Sequence, residues 1–147
     1  MPQQRDLKPE EHVVRQCSRT RQARDEAGKV IGIVAEAFIL REGESYLSAA
    51  WMEYFSGNRI AQLCGVRDIL RSSGRDVKAK DVLAVISVGT ATRIGLTFDR
   101  KLRFRLEPKR ENPAYAAIRG TVNEMRDLLD LLAAEAVVTF AEVATLP

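Results

Sequence analysis

The sequence predicts an α+β fold in a single compact domain: a small sheet of about four to five strands, a helical pair and a long C-terminal helix. Three observations carry that prediction. Val82 to Val88 is an unbroken apolar run rich in β-branched residues, the mark of a strand covered on both faces. Arg59 to about Ser73 sets Ile60, Leu63, Val66 and Leu70 at helical spacing. Val122 to about Val143 repeats apolar residues every three or four positions. The 147 residues are enough for one domain with a real core. Strands and helices do not alternate regularly, which argues against a doubly wound parallel sheet.

Taken in order, residues 1–10 are polar and read as a loosely ordered lead-in. Glu11 to Cys17 follows Pro9, a helix-start signal, but Val13 and Val14 favour an extended segment. Asp25-Glu26-Ala27-Gly28 is a turn signal. Val30 to Val34 and Ala37 to Leu40 read as one strand or a bent pair. Ser48 can cap a short helix from Ala49 to about Phe55, with Trp51, Tyr54 and Phe55 on one face. Asn58 can cap the next helix, and Ser72-Ser73-Gly74 ends it. Thr90 to Leu96 reads as a short helix weakened by Gly95. Leu102-Arg103-Phe104-Arg105-Leu106 alternates strictly, a half-buried strand with its arginines outward. Pro108 and Pro113 frame a loop. Thr121 and Glu124 stand at capping-box spacing ahead of the last predicted helix.

The composition excludes several chemistries. The chain has one histidine, His12, and two cysteines, Cys17 and Cys64. One chain therefore cannot build a four-cysteine or a two-cysteine, two-histidine zinc site. Neither a phosphate-binding Walker loop nor a dinucleotide fingerprint is present, and no cofactor is expected. The start lacks the apolar core of a signal peptide, and no apolar stretch is long enough to span a membrane. A cytoplasmic protein with reduced thiols is the expectation. Cys17 is the better candidate for a reactive thiol, because Arg15 and Arg19 flank it.

Charge is unevenly placed. The net charge is +3, from 23 basic and 20 acidic residues. Residues 61–110 carry 12 basic and 5 acidic groups, while residues 111–147 carry 2 and 6. Arginine outnumbers lysine 17 to 6, a bias that suits phosphate and carboxylate recognition but that a GC-rich genome also produces.

The stretch Phe38 to Phe55, with His12-Val13-Val14-Arg15 and Asn112 to Ile118, resembles a family of small bacterial cytosolic proteins with no established activity. The resemblance implies a bacterial cytosolic protein and supplies no catalytic residue. It also implies histidine in many relatives where Tyr115 stands, which would put a histidine-pair chemistry in doubt.

Four groups of residues can carry chemistry. A period of two puts Lys101, Arg103 and Arg105 on one strand face, and Arg67, Arg71 and Arg75 can extend it. Such a face would bind nucleic acid or an acidic partner protein by charge neutralisation; the plain alternative is a solvated face or a charge-protected edge strand. His12 with Arg15 and a distant Tyr115 or glutamate can be read as a nuclease-like acid–base site, although a lone histidine is more often a structural hydrogen-bonder. Trp51, Tyr54 and Phe55 can stack on bases, although at helical spacing such rings more often fill a core. Gly89 with Arg93 can form an anion nest at the end of the buried strand. The leading expectation is a non-catalytic binding module using Arg67, Arg71, Lys101, Arg103 and Arg105. The alternatives are the histidine enzyme, and a subunit of a larger assembly or homo-oligomer docked through the acidic C-terminal segment.

Overall fold

The computed structural model describes residues 1–147. In chain order the strands are Arg5–Asp6 (β1), His12–Cys17 (β2), Gln22–Arg24 (β3), Val30–Ile33 (β4), Leu47–Trp51 (β5), Val82–Ser87 (β6), Arg103–Leu106 (β7), Tyr115–Arg119 (β8) and Val137–Glu142 (β9). The helices are Arg59–Ser72 (α1), Val88–Thr97 (α2) and Arg126–Leu131 (α3).

The apolar run of β6 dictates the centre of the molecule. Val82 through Ile86 are wholly buried, so the strand needs cover on both faces and partners on both edges. Antiparallel β2 and β9 supply the edges. The full sheet has seven strands in the order β1-β7-β8-β5-β2-β6-β9, every neighbour antiparallel; β3 and β4 form a separate two-stranded hairpin. This corrects the expected sheet of four or five strands.

Alternation divides the core in two. Val13, Leu47, Ala49, Ala84, Ile86, Phe104 and Ile118 point to one face, beneath α2, α3 and the 35–38 turn. Val14, Ala50, Leu83 and Val85 point to the other, beneath Leu63, Val66 and Leu70 of α1. Helix α1 starts as its sequence suggests: the Asn58 side chain accepts from the Ala61 N–H at 2.9 Å. It covers the β2–β6 side of its face and leaves the β8–β7 side uncovered by any helix.

Two further expectations are corrected. Residues 49–55 are not a helix; Leu47–Trp51 pairs with β2 and β8, and a single 3-10 turn follows at Met52–Tyr54. The small Ala49 and Ala50 are good helix formers, but they fit a strand packed closely on both faces, and tertiary pairing overrides propensity. The long C-terminal helix is also absent. Helix α3 runs for one and a half turns, loosens into a π-turn at Leu132–Ala136, and becomes β9. Val137, Val138, Thr139 and Phe140 are β-formers, and pairing with β6 satisfies that strand's open edge. The capping box is unused: α3 starts only at Arg126 and the Thr121 hydroxyl makes no hydrogen bond, while Asn123 between them holds Leu40 through both its amide oxygen and its amide nitrogen at 2.8 Å. No helix is long and apolar enough to cross a membrane.

The first ten residues carry β1, and the Leu7 N–H donates to the Phe104 carbonyl at 2.8 Å.

Candidate functional site

The uncovered part of the α1 face is built by register. Arg103 lies opposite Arg119, and Arg105 opposite Ala117. Ala117 in turn faces Ser48, and Tyr115 faces Ala50. Directly opposed residues share a face, so Arg103, Arg105, Arg119, Tyr115 and Ser48 form one surface. The end of α1 walls it: Leu70, Ser73 and Arg75 line a groove of about 230 Å³ together with Ser48, Lys109 and Tyr115.

Carboxylates offset only part of this charge. Asp6 takes Arg103 Nε at 3.0 Å and Arg105 Nη1 at 3.4 Å. The Asp6 hydrogen bond to Arg103 leads in holding its carboxyl below the usual range. Glu107 pairs with Arg119. Arg75 has no acidic partner and reaches only the Ser48 hydroxyl, at 3.3 Å. Two tyrosines lie under the cations. Lys109 Nζ is 3.8 Å from the centre of the Tyr115 ring, and the Arg119 guanidinium is 4.7 Å from that of Tyr46. The Tyr115 hydroxyl donates to that of Tyr46 at 3.2 Å. Burial and then this bond push the Tyr115 hydroxyl up, so it stays protonated at neutral pH.

Beyond Ser48 and Arg75 the groove opens into a second cavity of about 410 Å³, lined by Arg15, Arg21, Arg41, Arg75, Glu44 and other polar residues. Arg15 is buried. Its Nη1 donates to the Ser48 carbonyl at 2.5 Å, and its Nε and Nη2 donate to that of Ala37 at 3.2 and 2.8 Å. It has no carboxylate partner, and burial brings its pKa down to about 10.

Comparison with protein-family models, curated proteins and solved structures finds no match to the chain.

Of the residues singled out in the sequence, the structure gathers Arg103, Arg105, Arg75 and Lys109 on this face, with exposed Lys101 just before β7. Arg67 and Arg71 turn elsewhere. Arg67 binds Asp68 and the Pro147 carbonyl, and Arg71 binds the Val77 carbonyl at 3.0 Å. His12 and Arg15 point to opposite faces of β2, since they are three residues apart on a strand. His12 Nδ1 lies 2.8 Å from Glu53, which also accepts the His12 backbone N–H at 2.7 Å. Tyr115 has no hydrogen bond to either residue; its hydroxyl is spent on Tyr46.

The amides near Gly89 are also committed: Val88 donates to Glu11, Gly89 to Pro9 and Thr90 to the Ser87 hydroxyl. They leave no nest. Cys17 is buried, and desolvation lifts its thiol to about 11 despite nearby Arg15 and Arg21. Histidine, cysteine and carboxylate side chains do not gather in groups of three that could hold a metal.

Arg119, Arg21 and Arg41 are the basic residues that local spacing did not reveal. Arg119 and Arg41 are isolated in sequence, and Arg21 stands between Arg19 and Arg24 in a polar segment with no strand or helix period; each joins the surface only through strand order or a loop return.

Proposed function

We propose that this protein is a non-catalytic binding module that holds a single nucleic-acid strand along the open face of its sheet. The observation that carries the reading is the convergence of Arg103, Arg105 and Arg119 on the part of the sheet face beyond α1, with Arg75 and Lys109 lining, beside Glu111, the groove between that part and the end of α1. Arginine forks suit phosphodiester oxygens, and the Tyr115 and Tyr46 rings hold Lys109 and Arg119 in place as further backbone contacts. The groove beside the end of α1 encloses about 230 Å³, too little to admit a duplex, so the reading is of one strand. Binding is by counterion release, with little base readout.

Fluorescence anisotropy with single-stranded and duplex oligonucleotides tests this. A strand with four phosphates held loses roughly fifty-fold in affinity between about 50 and 200 mM salt. Arg103→Glu with Arg105→Glu abolishes retention and leaves the melting temperature nearly unchanged. Asp6→Asn tightens binding several-fold, because it removes the carboxylate shared by Arg103 and Arg105. A wild type that binds no strand at low salt overturns the reading.

A further inference from the structure

The second cavity differs from the rest of the groove in three ways. Four guanidinium groups, those of Arg15, Arg21, Arg41 and Arg75, line a single space of about 410 Å³. None of the four has an ion-pair partner. The lining includes no hydrophobic residue, unlike the largely apolar pockets that take drug-like molecules.

Each feature has a physical consequence. Arg15 is fixed in position by its bonds to the Ala37 and Ser48 carbonyls, so it is a pre-set floor rather than a mobile surface charge. Arg21 is half-buried, and both desolvation and the proximity of Arg41 and Arg75 disfavour its charged form. Like charges held together and partly desolvated cost stability until an anion joins them. Two carboxylates, Glu44 and Asp76, also line the cavity and offset part of this charge. One oxygen of Glu44 accepts the Arg41 backbone N–H at 2.7 Å, and its charge favours the charged forms of Arg15 and Arg21. Asp76 is exposed and lies 3.9 Å from Lys78. Four guanidinium groups against two carboxylates leave the space cationic.

The ligand class follows from the donors. An internal phosphodiester carries one charge and two free oxygens, which one or two guanidinium groups satisfy. A terminal phosphate monoester carries close to two charges and three oxygens, which a cluster of forks matches better. Ser48 and Arg75 line both this cavity and the groove, so a strand lying on the sheet can deliver its end here.

We propose that the cavity of Arg15, Arg21, Arg41 and Arg75 is a subsite for the terminal phosphate of the bound strand. The inference rests on the strand-binding reading above and adds end recognition to it.

The test compares one single-stranded twelve-mer in three forms: 5′-phosphorylated, 3′-phosphorylated and with hydroxyls at both ends. Affinities are measured on the full chain and on the variant Arg21→Ala with Arg41→Ala, both surface-accessible positions. One phosphorylated form binds the wild type about tenfold more tightly than the hydroxyl form, the gain of a charge-assisted contact or two; whichever end wins fixes the polarity of the strand. The double variant loses that preference and still binds the hydroxyl form through the sheet face. Equal wild-type affinity for all three forms overturns the subsite and leaves strand binding standing. A preference that survives in the double variant also overturns it. No binding of any form ends both readings.

Discussion

Glu11 shows how much one side chain holds in place. Arg5 grips both of its oxygens, at 2.7 and 2.8 Å, and the Lys8 N–H donates to one of them at 2.8 Å. The Trp51 indole adds a smaller pull without closing to hydrogen-bond distance. The Arg5 bond leads in holding the Glu11 carboxyl at about 2, against the opposing effect of burial. A pKa lowered by folding gives stability that is complete above the usual value of 4.5 and drains as pH falls toward about 2. Glu11→Gln therefore costs on the order of 2 kcal/mol at pH 7, and its gap from wild type narrows at pH 3. Urea denaturation at the two pH values checks this, and an equal gap at both contradicts it. Cys17 makes the complementary case. Its neighbouring arginines suggest a reactive thiolate, but position on the core face of β2 outweighs them. At neutral pH a thiol reagent labels Cys64 in the native protein and reaches Cys17 only on unfolding. Rapid native labelling of Cys17 contradicts this assignment.

Elements whose signals are local were legible; those decided by pairing were not. The apolar run of β6, the alternation of β7, the valines of β2 and the Asn58-capped α1 all express themselves within a few residues. Strands β5 and β8 do not, because alanines buried by cross-strand pairing read as helix or loop in isolation. The same limit applies to the site. A period of two places Arg103 and Arg105 together, but only strand order brings Arg119 beside them. Gly95 illustrates how an apparent weakness in an element can be a packing requirement. In an exposed helix, alanine would gain about 1 kcal/mol over glycine. Here a Cβ would meet the Arg100 carbonyl oxygen at 2.7 Å and Leu102 Cγ at 2.8 Å, where the chain returns toward β7. Gly95→Ala therefore destabilises the protein, by about 1–3 kcal/mol from overpacking. Calorimetry decides it: a raised melting temperature would show that the return loop yields instead.

At the scale of the whole molecule, the C-terminal segment decides what kind of protein this is. Were residues 122–143 a helix, the sheet would end at β6, leaving an apolar, fully buried strand with an unpaired edge. As β9, residues 137–142 close that edge, and Val143 and Leu146 then reach the core beneath α1. The two arrangements predict different patterns of amide protection. A helix bonds consecutive N–H groups along its own axis, so protection is continuous past its first turn. An edge strand bonds alternate N–H groups to its one neighbour and turns the others to solvent. Hydrogen exchange read residue by residue should therefore show slow exchange throughout β6, whose two neighbours take its amides on both sides. Along Val137–Glu142 it should alternate between slow and fast, with the alternation interrupted near the bulge that opposes Val85 and Ile86. Unbroken protection from residue 132 to residue 142 would restore the helix and remove β9 from the sheet. The alternating pattern fixes β9 as one rim of the sheet, with β1 and the arginine-bearing β7 and β8 at the opposite side.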